Sequence, residues 1–184
     1  TNPMKNYAGL GDSGFVTTNS FKIYKKLLIL RYAGIDMKKD ECIYPDLNNK
    51  IDTLQASILD YRLSTISEII KKRISNASYY EKNLLNIKKP IFSNKGNHVY
   101  YTYQIIHEKR NELKNFLEKN GIETKIQQNK LIYDHYGFKN FNKYSLKFPN
   151  GNILKNKILC LPIHEKLNQT ELKFITNKVN EFCN

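Results

Sequence analysis

The chain has 184 residues, and its mass of 21.6 kDa is enough for one domain or one and a half. Hydrophobic residues make up 40% and charged ones 26%, with 8 Gly, 5 Pro and a mean hydropathy of −0.59. That composition excludes collagen-like, low-complexity and wholly disordered classes. No apolar run reaches the ~18 residues a membrane helix needs; Leu27 to Leu30 is bracketed by Lys25, Lys26 and Arg31.

The formal net charge is +13 and the sequence pI about 9.5, a balance that raises a nucleic-acid reading. The type and spread of the charge weaken it. Arginine is limited to Arg31, Arg62, Arg73 and Arg110, whereas base and phosphate readers lean on bidentate Arg. The lysines run from Lys5 to Lys178 without concentrating, and the excess of Lys, Asn and Ile points as much to compositional bias of the source. Cys42, Cys160 and Cys183 are odd in number, far apart and in no CxxC spacing, which argues against disulfides and a zinc site and for a reducing, cytoplasmic setting. His98, His107, His135 and His164 show no metal spacing either, so no metal is expected. The opening Thr1-Asn2-Pro3 carries no readable signal peptide, and the chain reads as part of a longer protein.

In chain order, Gly9 to Asn19 reads as a turn, a short strand at Phe15-Val16 and a helix N-cap. Asp12 is expected to hold the turn by accepting backbone amides. Phe21, Tyr24, Leu27 and Leu28 predict a helix to Arg31, followed by a loop from Gly34 to Pro45. From Asp52 to Leu85 there is no Gly or Pro, and Leu59, Leu63, Ile66, Ile70, Ile74, Ala77, Tyr80 and Leu84 keep helical spacing. One helix over 53–86 is predicted, on the order of 45–50 Å long, connecting two bodies unless it kinks. Asn86 to Asn97 then forms a linker around Pro90 and Gly96.

Val99 to Ile106 predicts a strand, Glu108 to Asn120 a helix closed by a left-handed Gly121, and Ile122 to Ile126 a second strand. Tyr133 to Asn152 reads as irregular, and Ile158 to Ile163 as a third strand interrupted by Pro162. Asn168-Gln169-Thr170-Glu171 resembles a capping box before a last helix with Leu172, Ile175, Val179 and Phe182 as its buried stripe. The order gives a small α/β layer domain at 87–184, behind the long helix at 53–86 and a preceding segment at 1–52.

Residues 2–19 read Asn-Pro-Met-Lys-Asn-Tyr-Ala-Gly-Leu-Gly-Asp-Ser-Gly-Phe-Val-Thr-Thr-Asn. Without further context Lys5 is a surface lysine before a Gly-rich loop. The stretch resembles the DegT/DnrJ/EryC1/StrS sugar aminotransferases, pyridoxal-phosphate enzymes of fold type I, whose motif runs Pro-x-Lys-Asn-Leu, a spacer, Gly-Asp-x-Gly, an apolar pair and Thr-Asn. The resemblance implies that Lys5 is the catalytic lysine that binds the cofactor's aldehyde. A primary amine can form that bond, be displaced by the donor amino acid, and then shuttle a proton. In the family a His at this position marks dehydratases, so Lys5 implies transamination.

Asp46 to Leu59, with Asn48, Lys50, Gln55 and Ala56, is similar to the family's Gly-x-Asn-x-(Arg/Lys)-(Met/Leu)-(Asp/Ser)-x-(Leu/Ile)-Gln-Ala-Ala segment. Asn48 and Lys50 then imply contacts across a homodimer to the neighbouring cofactor phosphate, for which an amide and an ammonium are suitable. The plainer reading of the same residues is a turn with Asp52 as N-cap and Lys50 solvated. Arg73 through Leu84, Gly121 to Ile126, Leu159 to His164 and Leu167 to Glu171 follow the family's order, while Gln127-Gln128-Asn129 stands where many members have His-Tyr-Pro. Gln127, Tyr133 and His135 are the candidate substrate contacts.

The resemblance implies the C-terminal part of a pyridoxal-phosphate transferase fold: the end of the large domain, a long connecting helix and a small α/β domain. The implied reaction moves an amino group from glutamate or glutamine to a keto group of a nucleotide-linked deoxysugar, for surface polysaccharide or glycoside biosynthesis. The rival readings are a catalytically incomplete split-gene half, lacking the upstream half, and a basic nucleic-acid-binding protein.

Overall fold

The computed structural model describes residues 1–89, 91 and 98–184. Pro90 and Gly96, the centre of the expected linker, lie outside the described residues. The chain forms two compact units, Thr1–Ser67 and Glu68–Asn184.

The first unit contains helix α1 (Phe21–Arg31), the two-residue strands β1 (Ile35–Asp36) and β2 (Glu41–Cys42), and helix α2 (Thr53–Leu63). Ser20 caps α1, its hydroxyl accepting from the amide of Ile23. Phe15-Val16 forms no strand, in contrast to the expectation, and the expected loop after Gly34 is instead a hairpin, Ile35 pairing with Cys42 and Asp36 with Glu41. Gly34 makes that hairpin possible. Its φ is +75°, and a Cβ there would sit 1.6 Å from the carbonyl oxygen of Tyr44.

The continuous helix expected over 53–86 is broken. α2 ends at Leu63 and α3 spans Ile66–Asn83, with a turn at Ser64-Thr65 between them. The two hydroxyls explain the break. Ser64 Oγ donates to Tyr61 O (2.7 Å) and Thr65 Oγ1 to Arg62 O (3.1 Å), and both backbone amides also bond three residues back. Short polar side chains compete in this way with the helical ladder.

The second unit holds most of α3, strands β3 (Tyr103–Ile106) and β4 (Ile158–Leu161), helix α4 (Arg110–Lys119), a short helix α5 (Pro149–Leu154) and the final helix α6 (Gln169–Cys183). β3 and β4 pair antiparallel, Tyr103 opposite Leu161 and Ile105 opposite Leu159. The strand expected at Ile122–Ile126 is reduced to one bridge, Lys125 to Cys160, and a second bridge, Lys88 to Ile106, extends the other edge. β4 ends before Pro162, which has no amide to continue a ladder. Alternation along β3 sends Tyr103 and Ile105 inward. They meet Ala77 and Tyr80 of α3, Leu113 and Leu117 of α4, Leu159 and Leu161 of β4, and Leu172, Ile175 and Val179 of α6 in one core. Gly121 closes α4 at φ +73°, as its position predicts. The segment read as irregular is two runs of 3-10 turns, Ile132–Asp134 and Tyr136–Lys147, leading into α5 with Pro149 in its first turn.

Candidate functional site

Lys5 lies on an exposed turn whose backbone is tied from several directions. Its own amide donates to Asn2 O (2.9 Å), and the Asn2 side chain accepts from Met4 N (2.9 Å). Asn2 Nδ2 donates to Asp12 Oδ1 at 2.6 Å, joining the lysine turn to the Gly-Asp-Ser-Gly loop. Asp12 was expected to accept backbone amides; the amide it accepts is the Asn2 side chain, which clamps two separate parts of the motif. Thr1 N donates to Ser13 O (2.9 Å), and Gly9 N to Thr1 O (2.8 Å).

α2 holds the other side of this loop. Gln55 Oε1 accepts from Leu10 N (2.9 Å), Tyr7 Oη donates to Leu59 O (3.0 Å), and Arg62 Nη1 donates to Ala8 O (2.5 Å). The packing is tight: a Cβ on Gly9 would meet Ser13 Oγ at 2.7 Å and Gln55 Oε1 at 3.0 Å. Sequence reasoning placed Gln55 in a motif but gave it no task, and it missed Tyr7 and Arg62. The signal available was the pairing of two motifs, each too polar to be explained by packing within its own segment.

Asn48 and Lys50 are exposed and sit elsewhere in the same unit. Asn48 forms a bridge with Tyr32 just after α1, Asn48 Oδ1 accepts from Lys50 N (3.2 Å), and Lys50 Nζ lies 5.7 Å from the centre of the Tyr32 ring. Asp52 occupies the N-cap position of α2 but makes no side-chain cap bond.

The three candidate substrate residues fall in the second unit and are not gathered in one place. Gln127 lies in a bend two residues past the Lys125 to Cys160 bridge, and burial pushes the Cys160 thiol up from its ordinary pKa. Tyr133 is buried, its hydroxyl 3.3 Å from Asn152 Oδ1 and its ring stacked on Phe148 with centroids 6.2 Å apart. It forms part of the wall of a largely apolar cavity of about 690 Å³, with Leu131, Ile132, Phe138, Phe148 and Pro149. His135 is exposed, and among the described lining residues neither it nor Gln127 appears. The turn under Tyr133 is fixed by Asp134, whose carboxylate accepts from Lys155 Nζ (2.7 Å) and Leu131 N (2.8 Å). The ammonium of Lys155 and then that amide hold the Asp134 carboxyl below its ordinary range.

The fold just described is that of aminotransferases. The S. venezuelae DesV structure in complex with a ketimine intermediate superposes with a TM-score of 0.92 at 23% identity, covering 98% of this chain and 49% of that one. NtdA of Bacillus subtilis, solved with bound cofactor PMP, gives 0.87 at 24% identity, covering 99% of this chain and 44% of that one. The model of the DegT/DnrJ/EryC1/StrS aminotransferase family matches residues 2–180, and the chain belongs to that family. The dTDP-3-amino-3,6-dideoxy-alpha-D-galactopyranose transaminase of Aneurinibacillus thermoaerophilus is 27% identical over 171 residues, 92% of this chain and 46% of its own length. The chain thus spans about half the length of the curated relatives it matches.

Proposed function

We propose that this chain carries the cofactor-lysine half of a pyridoxal-phosphate aminotransferase. The whole enzyme, acting in the cytoplasm, transfers an amino group from glutamate or glutamine to a keto group of a nucleotide-linked deoxysugar for surface polysaccharide or glycoside synthesis. The observation that carries this reading is the Asn2 to Asp12 bond, which holds the Lys5 turn against the Gly-Asp-Ser-Gly loop in a chain matched to the family over residues 2–180.

The residues present fit two ends of the cofactor. Lys5 offers an exposed primary amine for the aldehyde of its own cofactor, and Asn48 with Lys50 offers an amide and an ammonium for the phosphate of the cofactor in the neighbouring subunit. Bound there, pyridoxal phosphate supplies an electron-withdrawing ring that stabilises negative charge at the donor's Cα. Lys5 Nζ would hold the cofactor's aldehyde and would serve as the base that takes and returns the donor's Cα proton. Its pinned backbone keeps the amine in place for both tasks. Asn48 and Lys50 serve the neighbouring subunit of a homodimer, and Gln127, Tyr133 and His135 are assigned to the sugar or its diphosphate. Residues 1–52 belong in this reading to the large cofactor domain and 87–184 to the small domain.

Incubation with pyridoxal phosphate, borohydride reduction and peptide mapping tests the assignment. Preferential labelling of Lys5, lost in Lys5→Ala, is the expected result. Labelling scattered over the surface lysines, with and without a supplied second half of the family fold, overturns it.

A further inference from the structure

Lys5 stands in a stretch without helix or strand, residues 1–19 containing only turns and bends. An amine at the end of a long flexible side chain is placed no better than its own Cα, and a loop by itself holds a Cα poorly. Rigidity has to come from an element the loop is fastened to.

Two bonds just after the lysine fasten it, and they run in opposite directions. Tyr7 Oη donates from the loop to the backbone of α2 at Leu59 O (3.0 Å), and Arg62 Nη1 donates from α2 to the backbone of the loop at Ala8 O (2.5 Å). Leu59 and Arg62 are three residues apart, so both bonds fall on one face and one turn of α2. The guanidinium makes its bond a charge-assisted one. All of residues 1–67 are described, and Ala8 and Leu59, one from each side of this contact, are their only buried apolar side chains. The closest packing of the first unit therefore lies where the chain beside Lys5 meets α2. The Tyr7 ring is set in turn by an edge contact with Phe15, centroids 5.9 Å apart and planes at 71°. Tyr7 stands where the family's motif has Leu, so its hydroxyl bond is this chain's own and not a consequence of the motif.

We propose that Tyr7 and Arg62 are positioning residues for Lys5. Their crossed bonds clamp the backbone directly after the lysine onto α2, as the Asn2 to Asp12 bond holds the backbone before it, and together they fix where the amine stands. What the amine does rests on the cofactor-lysine reading above; the clamp rests on the two bonds.

Four variants of the full chain test the inference. Tyr7→Phe removes one hydroxyl and keeps the ring against Phe15. Arg62→Met removes the donor and keeps most of the stem, Arg62→Lys keeps a cationic donor, and Tyr61→Phe, at an exposed side chain of the same helix, is the control. Two quantities are read at matched folded fraction: exchange of the Lys5 and Gly9 amides, and the share of pyridoxal phosphate fixed by borohydride that falls on Lys5 among all lysines. Tyr7→Phe and Arg62→Met are each expected to speed the two amides and to cut the Lys5 share by about two- to tenfold. Arg62→Lys retains most of both, and Tyr61→Phe changes neither. A merely structural role lowers the melting temperature but leaves the Lys5 share where it was, and that result overturns the proposal. So does a loss that Arg62→Lys shares with Arg62→Met, or that Tyr61→Phe shares with Tyr7→Phe. Label scattered over the lysines already in the unsubstituted chain sinks the cofactor-lysine reading instead. The amides then decide the clamp alone: faster exchange in both variants leaves it standing, and unchanged exchange removes it.

Discussion

Gln55 accepts the amide of Leu10 at 2.9 Å across 45 residues of sequence, so the first helical turns of α2 and the loop after the candidate cofactor lysine form one hydrogen-bonded piece. The side chain also limits what can stand opposite, since Cβ atoms built on Gly9 and Gly11 would approach it to 3.0 and 3.1 Å. Gln55→Leu keeps the approximate volume and removes the acceptor. The expected cost is about 0.5–1.5 kcal/mol of loop docking, read as faster exchange of the Leu10 amide and poorer selectivity of Lys5 labelling. Gln55→Glu retains an acceptor and retains the protection. Equal exchange in all three proteins would show that the bond does not hold the loop.

Gly34 separates two causes of glycine dependence. A Cβ there meets Tyr44 O at 1.6 Å in a backbone with φ +75°, whereas a Cβ on Gly14 meets nothing within 4 Å. Gly34→Ala is expected to open the β1 to β2 hairpin, at a cost of about 1–3 kcal/mol or more. The amides of Ile43 and Tyr44, both donating to Gly34 O, lose their protection from exchange. Gly14→Ala leaves the same amides unchanged.

Alkaline pH is expected to destabilise the second unit. Tyr80 and Tyr103 are fully buried; Tyr80 donates to Pro162 O at 2.8 Å and Tyr103 to Glu81 Oε1 at 2.6 Å. Burial raises both hydroxyl pKa values, and for Tyr103 the bond to the Glu81 carboxylate raises it further. The neutral phenols are therefore favoured in the folded state, and the unfolded chain ionises first. Stability is fully present below about pH 10 and falls above it, each group contributing about 1.4 kcal/mol per pH unit. Denaturant titrations between pH 9 and 11 check the slope, and Tyr103→Phe is expected to reduce it by one group's share.

Where the chain's pattern was decided by neighbours in sequence, the elements were legible. α1, α4 and α6 followed from apolar spacing, the left-handed Gly121 from its place after Asn120, and the end of β4 from Pro162. The break between α2 and α3 was not, because Ser64 and Thr65 are tolerated in helices and only their bonds to Tyr61 and Arg62 carbonyls reveal the competition. Ile122–Ile126 has strand composition, yet only Lys125 finds a ladder position beside Cys160, a matter of tertiary placement. At the candidate site the motif identified Lys5 and the loop around Asp12. It did not identify the ties from Tyr7, Gln55 and Arg62, which depend on which parts of the chain meet. Gln127, Tyr133 and His135 were adjacent enough in sequence to be grouped, but the fold gives them a bend beyond the Lys125 bridge, a cavity wall and an exposed bend.

The capping box of α6 offers a test in which sequence and structure speak about the same atoms. Asn168 Oδ1 accepts from Glu171 N at 2.9 Å, and Glu171 Oε2 accepts from Asn168 N at 2.8 Å. These bonds satisfy amides that the start of a helix would otherwise leave to water, and Glu171 also places negative charge at the positive end of the helix dipole. Because α6 contributes Leu172, Ile175 and Val179 to the core, fraying at its first turn is transmitted to the unit's stability. Asn168→Ala is expected to cost about 1 kcal/mol, and Asn168→Asp to preserve most of that. A double-mutant cycle with Glu171→Ala should show coupling, since each side chain bonds the backbone of the other's residue. Strictly additive losses in urea unfolding would mean that the two caps act independently, and no loss from either substitution would mean that α6 is held by its apolar face alone.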